Sequence, residues 1–110
     1  SCDYNEMLEG IDGIESPAIR VHCDHVYHLY VIRSDRRDIL RRHLNNENIA
    51  SGIHYPVALP FLDAYRYLGH NPSDFPVAYE YQSKILSLPM YPELSEEMRN
   101  HVVSTIAKFQ

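Results

Sequence analysis

Hydrophobic and polar positions change period several times along this chain, and each change marks an element. Residues 25–33, HVYHLYVIR, are rich in β-branched and aromatic side chains and predict a strand. Tyr27, Leu29 and Val31 fall on one face, and Val26, His28, Tyr30 and Ile32 on the other. Both faces are largely apolar, so the strand is expected to be covered on both sides. From Ser34 the period lengthens to that of a helix. Ser34 offers an N-cap oxygen and Asp35 and Asp38 put carboxylates in the first turn. Ile39, Leu40, His43 and Leu44 form the expected inward stripe, which runs to about Asn46. Asn48 suits the left-handed residue that ends such a helix. IASGIHY (49–55) predicts a second strand, halted by Pro56, and ILSLP (85–89) a third. Ser95 then caps a last helix, with Glu96 and Glu97 in its first turn and Met98, Val102, Ile106 and Phe109 as its buried stripe.

The segments between these carry punctuation of their own. Residues 1–9 place Tyr4, Met7 and Leu8 at helical spacing and stop at Gly10, with no N-cap ahead. That is the pattern of the tail of a longer helix. Gly13 and Pro17 make 11–20 a loop. Residues 61–69 predict a short helix or turn closed by Gly69, and 70–76 a loop. Asp74 ahead of Pro76 resembles the start of a helix over about 76–84. The order implies an α+β fold: a short sheet of about three strands with helices packed on it.

Length and charge narrow the function classes. At 110 residues and 12.8 kDa the chain is one domain or part of one. Its 15 acidic against 10 basic residues, net −5, disfavour a general nucleic-acid binder. The locally basic stretch RSDRRDILRRH (33–43) interleaves Asp with Arg at spacings that allow i,i+3 and i,i+4 ion pairs, so it reads as a solvated, self-neutralised helix face. No apolar run approaches the ~20 residues of a membrane helix, and no signal segment opens the chain. Cys2 and Cys23 are too few for a disulfide scaffold, and are expected to be reduced in a cytoplasmic protein. The 9 Tyr and 7 His suit either a ligand-facing surface or an ordinary core margin.

Two local patterns could carry chemistry. HCDHVYH (22–28) offers His22, Cys23, Asp24, His25 and His28, all zinc-competent ligand types. Three-residue steps along a strand send His25 and His28 to opposite faces, so no metal site is expected. Lys84 and Lys108 are the only lysines, and neither sits in a motif for a Schiff base. No G-x-S-x-G, phosphate loop or G-x-G-x-x-G is present. GIHYP (52–56) puts His54 and Tyr55 at a strand end, where both tips can reach a cleft and donate to phosphate or sugar oxygens. A satisfied pair at a sheet edge fits the same residues equally well.

HVYHLYVIR, a helix ending in NENI, GIHYP, AYRYLGHNPSDFPVA and ILSLPMYPELSEEM occur here in that order. Together they resemble the carboxy-terminal small domain of the DegT/DnrJ/StrS-type sugar aminotransferases, over nearly all of residues 4–109. IHYP, DFPVA and LSLPMYPELS carry the resemblance as a set; any one alone is weak.

The resemblance implies a fold-type-I enzyme using pyridoxal 5'-phosphate to move an amino group, usually from glutamate, onto a nucleotide-linked keto-sugar. In that family a large domain carries the Schiff-base lysine, the aspartate facing the pyridine nitrogen and most phosphate contacts. That domain is absent from these 110 residues. Residues 1–110 are thus expected to be the small domain, with 1–9 the tail of the interdomain helix, consistent with the non-Met start and the short first helix. The isolated domain is expected to bind no cofactor and to be inactive, with no catalytic residue of its own. His54 and Tyr55 match the family's His-Tyr pair and so are implied to lie beside the nucleotide-sugar, at a site typically completed by the partner subunit of a homodimer. Pro56, Leu88-Pro89 and Tyr91-Pro92 match framework positions. After HYP the family often shows Pro-Leu-His-x-Gln, whereas Ala58, Leu59, Pro60, Phe61 and Leu62 stand here, without the His or Gln. A stand-alone, non-catalytic binding or assembly module of the same fold is the alternative.

Overall fold

The computed structural model describes residues 2–109, and side chains from Tyr4 onward. Ser1, which the sequence assigns to the first helix, lies outside the described residues. The elements are α1 (Cys2–Leu8), β1 (Tyr30–Arg33), α2 (Arg37–Asn46), α3 (Pro76–Tyr81), β2 (Ile85–Leu88) and α4 (Glu96–Lys108). Three 3-10 turns, Leu59–Phe61, Asp63–Leu68 and Pro72–Asp74, lie between α2 and α3.

Among the described residues the sheet has two strands, not the expected three. β1 and β2 run antiparallel, with Tyr30 opposite Leu88 and Ile32 opposite Leu86. These four side chains share one face, and all are buried. Tyr4 and Leu8 of α1, Leu40 and Leu44 of α2, and Val102 and Ile106 of α4 complete the core with them. The half-buried Val31, Arg33 and Ile85 and the buried Ser87 alternate onto the opposite face.

The two missing strand segments have separate physical causes. At 25–29 the amide of Tyr27 donates to Nδ1 of His25 at 2.8 Å, so it is satisfied locally and not by a neighbouring strand. Tyr27 also takes φ +49°, which turns the chain and buries its ring against Tyr30. Residues 49–55 contribute a single bridge, in which Gly52 exchanges both backbone hydrogen bonds with Ser87 at 3.0 and 2.7 Å. Past it Tyr55 turns to φ +61°, and Pro56 offers no amide to continue a ladder.

α2 begins later and faces differently than expected. Ser34 Oγ accepts from the Arg36 amide at 3.2 Å and starts the turn that leads into Arg37, which leaves Asp35 ahead of the helix. The buried face is Arg37, Leu40 and Leu44, while Ile39 is 47% exposed and His43 only half-buried. Arg37 takes the inward position because its guanidinium Nη1 reaches the carbonyls of Gln82 at 3.3 Å and Ile85 at 3.1 Å. The helix ends as expected at a left-handed Asn48, φ +59°. There Ile49 donates to Leu44 and Asn48 to Asn45, with Ile49 and Leu44 both buried.

The remaining boundaries shift little. α3 stops at Tyr81, and residues 82–84 form the turn that feeds β2. Gly69 closes the Asp63–Leu68 turn at φ +68°. In α4, Ser95 Oγ accepts from the Met98 amide at 3.2 Å, as its position predicts. The buried face is Val102, Thr105 and Ile106. Met98 is 50% exposed, and its sulfur accepts from the Tyr91 hydroxyl at 3.5 Å. Phe109 is half-buried under the Arg36 guanidinium.

Candidate functional site

Residues 53–84 leave the fold at the Gly52–Ser87 bridge and return at Ile85. Short 3-10 turns and α3 organise this excursion, and it exposes Tyr65, Tyr67, Phe75 and Tyr79. Its two limbs are tied at the base: the Ala58 amide donates to Oε1 of Gln82 at 2.8 Å, and the Gln82 carbonyl accepts from Arg37. Arg33 stacks its guanidinium 4.1 Å from the Tyr81 ring centre, which seats the returning limb on the sheet face opposite the core.

His54 and Tyr55 stand at the start of this excursion, and neither is sealed in the interior. Tyr55 is 78% exposed, with no protein partner for its hydroxyl among the described residues. A left-handed backbone is a strained state for a bulky side chain, at a cost of roughly 1–2 kcal/mol. Residues ahead of proline also favour extended backbone. His54 is exposed too, but its ring is held: Nδ1 lies 2.8 Å from Oγ of Ser87. The ring rests on Gly52, where a Cβ would come within 3.1 Å of its Cε1 atom. Ser87 and Gly52 support the pair without a local motif that marks either as functional. The available signal was a lone polar side chain between Leu86 and Leu88 in a strand, and a glycine two residues before the histidine.

The other sequence candidates are dispersed. Among the described residues, no group of three or more His, Cys, Asp or Glu could hold a metal ion. His25 is occupied by the Tyr27 amide, and Cys23 is exposed and unpaired. The charges of the 33–43 stretch do not pair at helical spacing as expected. Arg33 bridges to Glu15, Asp35 to Lys84, and Arg37 to its neighbour Asp38. No described helix is long and apolar enough to cross a membrane.

Lysine placement bears on the cofactor that the family resemblance implies. Lys84 Nζ lies 2.8 Å from Glu80 and 3.0 Å from Asp35, and hydrogen bonds to these two carboxylates raise its pKa. It is held as an ammonium ion rather than a free amine. Lys108 ends α4 on the surface. These two residues do not fit the Schiff-base role that pyridoxal 5'-phosphate requires. Among tyrosines, burial pushes the Tyr4 phenol up to about 12 and raises that of Tyr30. Both belong to the core, where Tyr4 donates to the Pro89 carbonyl at 3.0 Å.

Comparison with known proteins gives a consistent result. The model of the DegT/DnrJ/EryC1/StrS aminotransferase family matches residues 2–107. The chain is 39% identical over 103 residues to the erythromycin biosynthesis sensory transduction protein EryC1 of Saccharopolyspora erythraea, covering 94% of this chain and 28% of that protein. It is 31% identical over 109 residues to the dTDP-3-amino-3,4,6-trideoxy-alpha-D-glucose transaminase of Streptomyces venezuelae, covering 99% and 29%. The crystal structure of Streptomyces venezuelae DesV in complex with a ketimine intermediate superposes with a TM-score of 0.93 at 31% identity, covering 98% of this chain and 29% of that one. The chain thus spans less than a third of the length of these relatives.

Proposed function

We propose, since this chain belongs to the DegT/DnrJ/EryC1/StrS aminotransferase family, that it is the carboxy-terminal, substrate-side domain of a longer sugar aminotransferase. The whole enzyme would move an amino group, from glutamate, onto a keto-sugar carried on a nucleotide. Pyridoxal 5'-phosphate would supply the electron sink, held by the part of the protein beyond these residues. Lys84 is engaged by two carboxylates, which supports placing the Schiff-base lysine outside this chain. The 110 residues alone are proposed to bind no cofactor and to transfer no amino group.

The observation that carries the reading is the state of His54 and Tyr55. Both are exposed, one locked by Ser87 and the other held in a strained backbone. A fold keeps such strain where the geometry has a use. An imidazole and a phenol side by side offer hydrogen bonds to the phosphate and hydroxyl oxygens of a nucleotide-sugar. The exposed aromatic surface of the excursion fits cover by the large domain or by the second subunit of a homodimer. We place the enzyme in the cytoplasm, where Cys23 would stay reduced.

Steady-state kinetics of the full-length enzyme test the assignment. His54→Ala and Tyr55→Phe are each expected to raise KM for the nucleotide-sugar by roughly tenfold, with KM for glutamate unchanged. Unchanged nucleotide-sugar kinetics in both variants would remove the pair from the site. A gene that encodes no aminotransferase domain ahead of these residues would favour the stand-alone binding module instead.

A further inference from the structure

We infer that Ser87 is a positioning residue that sets the tautomer of His54, so that the exposed Nε2 carries the hydrogen and donates it to an oxygen of the ligand. This rests on the reading above, in which His54 faces a nucleotide-sugar. The 2.8 Å separation of Nδ1 and Oγ admits two hydrogen arrangements. In one, the imidazole Nδ1–H donates to the serine oxygen. In the other, the serine hydroxyl donates to a bare Nδ1.

The surroundings of Ser87 choose between them. Ser87 is buried, and among the described residues its hydroxyl has no partner other than Nδ1. If Nδ1 held the hydrogen, the serine hydroxyl hydrogen would point into the protein with no acceptor. A buried donor left unmade costs more than an oxygen lone pair left unused. The hydroxyl therefore donates to Nδ1, and a neutral imidazole that accepts at Nδ1 carries its hydrogen on Nε2. Nε2 has no protein partner among the described residues, and the ring is exposed.

Gly52 completes the seat. Its backbone pairing with Ser87 sets strand edge and hydroxyl in register, and the absence of a side chain lets the ring lie within van der Waals reach. The result is a donor fixed in direction, which selects a ligand oxygen and gives no hydrogen bond to an ammonium group. Phosphate oxygens and sugar oxygens share that acceptor chemistry and occur in one nucleotide-sugar.

Long-range proton–nitrogen NMR of the 15N-labelled 110-residue chain, at a pH where histidine is neutral, reads the tautomer directly. The expected spectrum shows His54 with a pyrrole-type Nε2 and a hydrogen-bonded, pyridine-type Nδ1. Ser87→Ala should shift both nitrogens toward the mixture of free histidine, and Ser87→Thr, which keeps the hydroxyl, should restore them. Gly52→Ala, which crowds the ring without touching the hydroxyl, should also disturb them and serves if Ser87→Ala does not fold. A hydrogen on Nδ1 in the wild type, or spectra unchanged in Ser87→Ala, overturns the inference whatever His54 binds. In the full-length enzyme Ser87→Ala is expected to raise KM for the nucleotide-sugar roughly 3- to 10-fold, with kcat within about twofold and rescue by Ser87→Thr. The expected spectra together with an unaffected His54→Ala enzyme would instead sink the substrate reading, and the ligand half of the inference with it.

Discussion

Replacing Arg37 with Met keeps the aliphatic stem and removes every hydrogen bond the guanidinium makes. The contact to Asp38 counts for little, since that carboxylate is 73% exposed and well screened. The two carbonyl bonds, 3.3 Å to Gln82 and 3.1 Å to Ile85, are charge-assisted and mostly out of solvent. Bonds of that kind contribute about 1.5–3 kcal/mol each at good geometry, and the longer one belongs at the bottom of the range or below. Two carbonyls are also left without their donor, while removal of a charge from a buried position offsets part of the loss. The expected destabilisation is about 2–4 kcal/mol, a large share of the stability of a small domain. Urea unfolding followed by far-UV circular dichroism measures it through the shift in midpoint at constant m-value. Limited proteolysis gives a second reading, because Arg37 reaches the residue that ties the two limbs of the excursion. Cleavage within 58–82 should accelerate more than cleavage in α4. A loss of stability under about 0.5 kcal/mol, with an unchanged cleavage pattern, would refute the clamp and reduce Arg37 to a chance burial.

Two further outcomes follow from the core and the excursion. Unfolded tyrosine ionises near pH 10, whereas Tyr4 in the fold is pushed up to about 12 by burial. Its neutral form is thus fully stabilising below pH 10 and loses that contribution as pH rises from about 10 to 12. Tyr4→Phe should cost about 1 kcal/mol near neutrality, by loss of the Pro89 bond, and then flatten the alkaline decline by on the order of 2 kcal/mol. An equal wild-type-minus-variant difference in urea midpoints at pH 9 and pH 11.5 would contradict this. Tyr55→Gly relieves a left-handed tyrosine that buries little, so thermal stability should rise by up to ~1 kcal/mol in the isolated chain. A fall in melting temperature would show that the phenol packs on something or that the strain is small.

Much of this fold is legible in the sequence wherever a local rule and the packing agree. Ser95 caps α4, Asn48 ends α2 and Gly69 closes its turn because each position needs a side-chain oxygen or a left-handed backbone that few residues supply. β-rich composition overextends the strands because it does not report where an amide finds its partner. The Tyr27 amide is taken by a histidine two residues back, and the backbone at Tyr55 turns against its own preference. Apolar periodicity misplaces the inward face of α2 because it gives no weight to an arginine. Only the carbonyls of Gln82 and Ile85, more than 40 residues away, make Arg37 an interior residue. The His54–Tyr55 pair was visible as a motif, but its support was not. Ser87 is 33 positions distant, and nothing local marks a strand serine as the partner of a loop histidine.

Because the chain departs and re-enters through one bridge, the 53–84 segment behaves as a graft on a finished chassis. Closing such a loop costs only about 0.6 kcal/mol more for each doubling of its length. Insertions, deletions and wholesale reseeding between Ala58 and Gln82 can therefore be tried without recutting the strands or helices beneath. A histidine anchored in the chassis and a tyrosine at the threshold of the graft would stay constant while the rest is exchanged. Under the proposed substrate-side role, that arrangement would let the accepted sugar be changed while leaving the framework alone.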